Sequence, residues 1–200
     1  MIVIGLTGSI GMGKTTVAQC FIELGINVFE ADKEVHRALA EVPKVISKLK
    51  KRFPECFKTR IMDRNCLATM AFKNESVLNQ LESVLHPHVI NEIDNFISKK
   101  KAEGELIIVI EAPLLFECGI DVKCDYIIVA NAKAPIQKER VLKRPGMNAS
   151  QLEFLLSRQV FQEDKLLKAD YIINTDLDLA SVHKEAKKIL NILTPTTFET

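Results

Sequence analysis

The sequence predicts an α/β protein in which a five-stranded parallel sheet lies between two layers of helices. Two observations support this: short apolar segments alternate with helical ones, and the first apolar segment runs directly into a glycine-rich turn and a helix. This alternation favours a parallel sheet that is buried on both faces. The 200 residues, 47% of them apolar, are enough for one compact domain with small insertions.

The strands are predicted where short apolar, β-branched runs end at a glycine-rich or acidic segment. They cover residues 2–6, 27–29, 106–110, 126–130 and 171–173. The third run is unbroken and suits the centre of a parallel sheet, beside the first strand. The strand order that we expect, with the third strand beside the first, is 2-3-1-4-5.

The helices are predicted from apolar residues at helical spacing. One follows the glycine-rich turn at residues 14–24, and the next five succeed one another without a strand, at 34–40, 45–52, 65–72, 75–85 and 88–101. These five predict a helical insertion between the second and third strands. A charged helical stretch, 136–168, is interrupted at Pro145-Gly146, and a last helix covers 178–193.

The composition argues against several classes of function. A formal net charge of +1 offers no field that would attract nucleic acid or an acidic membrane. No apolar run approaches the roughly 20 residues that span a bilayer, and the chain opens in a strand rather than a cleavable signal. The five cysteines are scattered, so we expect free thiols rather than a zinc site or a disulfide framework. We expect a cytoplasmic protein.

A glycine-rich loop after the first strand carries the clearest motif. Residues 5–18 read GLTGSIGMGKTTVA, in which Gly8, four further residues and Gly13-Lys14-Thr15 have the spacing of a phosphate-binding loop. Glycines let backbone N–H groups turn inward toward phosphate oxygens, and the following helix adds its positive N-terminal end. Lys14 can reach the β- and γ-phosphates of a nucleotide, and the Thr15 hydroxyl can ligate Mg²⁺.

Such a loop could serve a regulatory switch, a motor or a kinase. A GTPase switch would need D-x-x-G and N-K-x-D segments, and the nearest approach to the latter, residues 131–134, reads NAKA. A motor would need an acidic pair at the end of a strand; Glu111 closes the third strand, so this alternative stays open. A kinase needs a group that orients the acceptor hydroxyl and cations that cover the transferring phosphoryl group.

Asp32 and several cationic residues are candidates for these kinase roles. Asp32 follows the second strand, whose carboxyl end faces the same crevice as the phosphate loop, so it could accept the hydroxyl proton or simply cap the next helix. Arg140 and Arg144 lie one helical turn apart and share a face. With Arg158 and Lys165 they form a cationic helical hairpin, which is either a closing lid or a solvated helix with balanced charge.

Several segments, taken in order, resemble the dephospho-coenzyme A kinase family. They are GLTGSIGMGKTTVA, INVFEADKEVHR, DRNCLATMAF, LHPHV, EAPLLFE, QKERVLKR, Arg158-Gln159 and ADYIIN. The phosphate loop is shared by many families, whereas APLLFE combined with the Asp32 segment is much more specific. The resemblance spans nearly the whole chain. It implies a P-loop NTPase-type α/β/α fold and transfer of the ATP γ-phosphoryl group to the ribose 3′-hydroxyl of dephospho-coenzyme A (dephospho-CoA).

The same resemblance implies roles for individual residues and segments. Asp32, Lys14 and Arg140 would be catalytic, and Thr15 would hold Mg²⁺. ATP would bind Gly8, Gly11, Met12, Gly13, Lys14, Thr15, Thr16, Arg144 and Asn174, and the acceptor would bind Asp32, Arg64, His86, Pro113 and Leu114. Residues 1–32, 105–133 and 169–200 would form the nucleotide-binding core, 33–104 the acceptor domain and 134–168 the lid. His86 precedes a proline, so a helix cap remains its alternative role.

The sequence departs from the family pattern at Glu30 and Glu111, where aspartates are usual. Each glutamate adds a methylene, which shifts a carboxylate that would position Mg²⁺ through water. The expected ligands are ATP with Mg²⁺ and dephospho-CoA, and the expected state is a monomer or weak homo-oligomer. Two alternatives remain: a kinase of the same fold that acts on another nucleoside or small alcohol, and a binding module that hydrolyses nucleotide slowly.

Overall fold

A parallel five-stranded sheet organises the first of two compact units in the structure, a computed structural model that describes residues 1–57 and 62–194. The strands are β1 (Ile2–Thr7), β2 (Asn27–Glu30), β3 (Ile107–Glu111), β4 (Tyr126–Asn131) and β5 (Tyr171–Asn174). They pair in the order β2-β3-β1-β4-β5, and every pairing is parallel. The predicted order is confirmed, and each predicted strand end lies within one residue of the observed one.

The helices lie between and after these strands. They are α1 (Lys14–Glu23), α2 (Ala31–Glu41), α3 (Pro43–Arg52), α4 (Arg64–Lys73), α5 (Glu75–Ala102), α6 (Ala134–Leu142), α7 (Ala149–Ser157), α8 (Gln162–Leu167) and α9 (Leu179–Leu193). Short 3₁₀ turns cover Pro54–Cys56 and Asp121–Lys123. Throughout the described ranges, no helix combines the length and apolar character needed to cross a membrane.

The sheet unit comprises Met1–Glu30 and the chain from Ile97 onward. Its core joins the strands to α1 and α9, with side chains such as Ile4, Phe21 and Leu190 fully buried. Because helices shield the central strands from water, those strands read as continuous apolar runs instead of alternating ones. This burial explains why their positions could be predicted.

The second unit, Ala31–Phe96, is helical. Its core is an apolar cluster contributed by α2, α3, α4 and the first part of α5. The expected break between residues 85 and 88 is wrong, since α5 runs without interruption through Pro87. Buried side chains on both sides of the proline, Leu85 before it and Val89 after it, stabilise the helix through packing despite the cost of an internal proline.

A disulfide joins Cys56 to Cys66 within the helical unit, with 5.5 Å between their Cα atoms. The expectation of free thiols is therefore wrong for this pair, although Cys20, Cys118 and Cys124 are free. The Asp63 backbone N–H donates to the Cys56 carbonyl oxygen at 2.8 Å, which brings the start of α4 close to Cys56, and no recognisable spacing of the two cysteines indicates the pair. The predicted core and insertion also include residues 195–200 and 58–61, which lie outside the described residues.

Candidate active site

The phosphate loop lies between β1 and α1, and glycine is required there for steric reasons. Gly8 and Gly13 have φ values of 144° and 85°, a region in which residues with a Cβ are strained. A Cβ at Gly8 would lie 2.5 Å from the Ala130 carbonyl oxygen, and one at Gly13 would lie 2.5 Å from Thr175 Oγ1. Ala130, near the end of β4, and Thr175, just after β5, therefore pack closely against one side of the loop, which we call its outer side.

Three glutamines bind the outer side of the loop. The backbone N–H of Ser9 donates to Gln162 Oε1 at 2.9 Å, and that of Ile10 donates to Gln159 Oε1 at 2.9 Å. Gln137 Nε2 in turn donates to the Ile10 carbonyl at 2.8 Å. The loop's shape is thus held by side chains of α6, α8 and the segment before α8.

Two backbone N–H groups of the loop are available to a ligand. Among the residues that the structure describes, the backbone N–H groups of Gly11 and Gly13 donate no hydrogen bond. Lys14 is buried, and its Nζ lies 2.8 Å from the Gly8 carbonyl oxygen. Thr15 and Thr16 lie exposed in the first turn of α1. Open N–H groups and an ammonium group at the N-terminal end of a helix form an arrangement that binds phosphate.

The two arginines predicted to act together lie in different surroundings. Arg140 donates to Thr175 Oγ1 at 2.9 Å and also to the Thr175 carbonyl oxygen. The Thr175 hydroxyl donates to the Met12 carbonyl at 2.8 Å, so Arg140 is connected to the phosphate loop through Thr175. Arg144 is exposed, and its guanidinium has no polar partner within the described chain. Asn174, at the end of β5, lies 3.5 Å from the Asn131 amide nitrogen.

Lys165, expected on a cationic hairpin that was either a closing lid or a solvated helix, is fully buried. Its Nζ donates to the Pro113 carbonyl at 2.9 Å and lies 3.1 Å from Glu117 Oε1. Burial lowers the pKa of Lys165, and the Glu117 carboxylate partly offsets this effect. Pro113 and the neighbouring Leu114 are half-buried in the turn after β3.

The ends of β2 and β3 bring two carboxylates into register. Glu30 pairs with Glu111 across the parallel ladder, at the carboxyl edge of the sheet. No cluster of three or more His, Cys, Asp or Glu side chains suited to a metal occurs among the described residues. Such an edge, with the Thr15 hydroxyl on α1, fits Mg²⁺ that arrives with nucleotide phosphates and keeps much of its water, rather than a metal held in a protein cage.

In the helical unit, Asp32 lies in the first turn of α2 and is exposed. Its carboxylate has no hydrogen-bond or ion-pair partner in the described part of the chain, so the helix-capping alternative is not observed. His36 lies one turn later on the same face. Arg64 Nη1 lies 3.4 Å from His36 Nδ1, and its Nη2 donates to the His36 carbonyl. His86 is half-buried within α5.

A second polar group of the helical unit joins α2 to α5. Glu34 is buried and accepts two hydrogen bonds from Arg37, at 2.7 and 2.8 Å, and lies 2.7 Å from His88 Nε2. Burial raises the pKa of the Glu34 carboxyl, but hydrogen bonds from Arg37 and His88 outweigh this and hold its pKa below the ordinary value. The contact between Glu34 and His88 therefore holds α2, the helix that carries Asp32, against α5.

Sequence reasoning missed several of these residues. The spacing of four residues from Asp32 could have identified His36. Gln159 lies in the Arg158-Gln159 segment of the family resemblance, which implied no role for it. Nothing in the sequence pattern indicated a role for Gln162. Lys165 was identified as part of a cationic hairpin but not as a buried residue, because burial of a lysine depends on a partner that is distant in the chain.

Comparison with known proteins identifies the family of this chain. The dephospho-CoA kinase (CoaE) family model matches residues 2–181. The dephospho-CoA kinase of Mesorhizobium japonicum is 38% identical over 96% of this chain and 97% of its own, and that of Bartonella quintana is 38% identical over 96% and 98%.

Solved structures agree with this match. The Thermus thermophilus protein TT1252 superimposes with a TM-score of 0.81 at 29% identity, over 96% of this chain and 98% of its own. The dephospho-CoA kinase of Campylobacter jejuni gives 0.71 at 26% identity, over 98% of both chains. A shikimate kinase of Acinetobacter baumannii, at 18% identity, a TM-score of 0.54 and coverage of 100% of this chain and 96% of its own, shares the fold. The chain therefore belongs to the dephospho-CoA kinase family.

Proposed function

We propose that this chain transfers the γ-phosphoryl group of ATP to the ribose 3′-hydroxyl of dephospho-CoA, the last step of coenzyme A synthesis. The observation that carries the proposal is the phosphate loop of a chain that belongs to this family. The backbone N–H groups of Gly11 and Gly13 have no acceptor among the described residues, and the Lys14 ammonium lies 2.8 Å from the Gly8 carbonyl oxygen of the same loop. Phosphoryl transfer depends mainly on positioning and charge stabilisation, which this loop is built to supply.

The nucleotide side of the reaction is assigned to the sheet unit. The loop N–H groups would bind the β- and γ-phosphates, and Lys14 would leave the Gly8 carbonyl to contact them. Arg144, whose guanidinium has no polar partner among the described residues, is free to meet the transferring group. Arg140 could join it in the transition state only by releasing Thr175; otherwise it positions the loop after β5. We assign residues 134–168 as the lid.

Mg²⁺ is the ion that we propose to accompany ATP. Bound beside the nucleotide phosphates, Mg²⁺ would neutralise their charge during transfer. The Thr15 hydroxyl would hold it directly, and Glu30 and Glu111 would orient its water ligands from the edge of the sheet.

The acceptor side is assigned to the helical unit and the turn after β3. Asp32 would accept or orient the proton of the acceptor hydroxyl, since its carboxylate is exposed and unpaired within the described residues. Arg64 and His86 would bind the anionic acceptor, and Pro113 and Leu114 would also contact it. We further propose that the protein works in the cytoplasm as a monomer or weak homo-oligomer, without nucleic-acid or membrane partners.

The test is ADP production from Mg²⁺-ATP with and without dephospho-CoA. We expect a rate that rises with dephospho-CoA and saturates, while adenosine and pantothenate give no comparable rise. A rate that is unaffected by dephospho-CoA but rises with another alcohol would contradict the acceptor assignment. ADP release that no acceptor accelerates would instead favour a slow nucleotide-hydrolysing module.

A further inference from the structure

Lys165 is buried to a degree that requires an explanation. Its side chain has no solvent exposure, whereas the side chain of its partner Glu117 keeps 17%. Burying an ammonium group is costly unless it is paired and hydrogen-bonded. Lys165 Nζ meets both conditions, because it donates to the Pro113 carbonyl at 2.9 Å and lies 3.1 Å from Glu117 Oε1.

Both partners of Lys165 belong to the turn after β3, residues 112–119. The Thr7 hydroxyl, at the end of β1, lies 3.4 Å from the same Pro113 carbonyl oxygen. Glu117 Oε1 also accepts from the backbone N–H of Val160 at 2.6 Å. The Pro113 carbonyl oxygen therefore connects this turn to Thr7, the residue before the phosphate loop, and to Lys165. Glu117 Oε1 connects the turn to Lys165 and Val160.

The same segment, residues 159–165, binds the phosphate loop. Gln159 and Gln162 accept from the backbone N–H groups of Ile10 and Ser9. Gln162 Nε2 also lies 3.1 Å from the carbonyl oxygen of Ala130 in β4. One short segment thus contacts the phosphate loop with its two glutamines and the turn after β3 with its lysine.

We propose that Lys165 is a positioning residue, which sets the turn after β3 relative to the phosphate loop. In a parallel α/β sheet, ligands lie in the crevice at the carboxyl ends of the strands. The phosphate loop follows β1, and the turn after β3 borders the crevice on the side of β2, away from Thr175 and Arg140. Lys165 therefore acts on the second substrate, through Pro113. The identity of that substrate rests on the proposed function.

The test compares Lys165→Met, which removes the charge and keeps the length, with Lys184→Met, which removes an exposed charge from α9. Turnover, both KM values and backbone amide exchange of residues 112–120 are measured. We expect Lys165→Met to lower kcat/KM for dephospho-CoA at least about tenfold, because a displacement of about 1 Å at a positioning group has effects of that size or larger. The KM for ATP should change by less than about threefold. Lys184→Met should match wild type.

A second variant keeps the test decisive if Lys165→Met does not fold. Glu117→Gln has the same shape and can still accept from the Val160 N–H, but it removes the charge that pairs with Lys165. It should lower kcat/KM for dephospho-CoA in the same direction and raise amide exchange in residues 112–120 but not in α9. Thermal melts show which variants are folded.

Three results would overturn the proposal. The first is a folded Lys165→Met or Glu117→Gln variant whose kcat/KM for dephospho-CoA is unchanged. The second is a rise in the KM for ATP as large as the rise in the KM for dephospho-CoA, which indicates a general structural effect. The third is loss of folding in both variants, since the pair would then be a requirement of the fold. If wild type does not phosphorylate dephospho-CoA, the proposed function fails, and amide exchange of residues 112–120 alone decides this inference.

Discussion

Replacing Gly13 by alanine tests how closely the phosphate loop is fitted to the loop after β5. Gly13 has φ 85°, and an added Cβ would lie 2.5 Å from Thr175 Oγ1 and 2.8 Å from Thr175 Cβ. The left-handed conformation costs a residue with a Cβ about 1–2 kcal/mol, and overpacking adds about 1–3 kcal/mol. We therefore expect Gly13→Ala to lower the free energy of unfolding by about 2–5 kcal/mol.

Gly25→Ala is the matched control for this change. Gly25 has φ 82°, but no heavy atom lies within 4 Å of the position where its Cβ would be. It should therefore show only the backbone cost, about 1–2 kcal/mol. The difference between the two variants isolates the contact with Thr175.

Equilibrium unfolding in urea gives both free energies by linear extrapolation. The chain contains no tryptophan, so far-ultraviolet circular dichroism is the suitable signal. Equal losses for Gly13→Ala and Gly25→Ala would show that Thr175 does not restrict the loop, and the description of the outer side of the loop would be wrong.

Three further predictions concern the helical unit. Asp32→Asn should lower kcat about 100-fold or more, while the affinity for ATP is retained. The control Glu41→Gln, at the other end of α2, should leave kcat unchanged. Near-normal turnover of Asp32→Asn would remove Asp32 from the mechanism. Glu34 has a pKa lowered from 4.5, so its carboxylate stabilises the fold above pH 4.5, and this stabilisation is lost as the pH falls through the lowered pKa. Glu34→Gln should therefore make the free energy of unfolding less dependent on pH on the acid side. An unchanged dependence on pH would contradict this. Replacing Cys56 and Cys66 by serine should cost about 3 kcal/mol without reductant, and reductant should bring wild type to the same unfolding midpoint; no effect of reductant would contradict the disulfide.

The parts that could be predicted from the sequence depend on local pattern. The strands are short apolar runs that helices shield, so their positions follow from composition, and the place of β3 beside β1 follows from the architecture of such sheets. The phosphate loop was identified because its function requires glycine, lysine and threonine at fixed spacing. Asp32 was placed correctly at the end of β2, but only the structure shows that its carboxylate does not cap α2.

The parts that could not be predicted depend on contacts between distant residues. Pro87 indicates a helix end locally, yet packing of Leu85 and Val89 carries α5 through it. The sequence around Lys165 is that of a charged helix, and the burial of Lys165 depends on Glu117, which lies in the turn after β3. The bond from Arg140 to Thr175 likewise joins two segments that are adjacent only in the folded chain.

The proposed reaction transfers the phosphoryl group to one defined hydroxyl. The most direct test is to isolate the product formed from Mg²⁺-ATP and dephospho-CoA, measure its mass and locate the new phosphate by ³¹P and ¹H nuclear magnetic resonance. We expect an acceptor that has gained one phosphate, attached at the ribose 3′ position, with one ADP released for each product molecule. A phosphate on another hydroxyl, or ADP with unmodified acceptor, would contradict it.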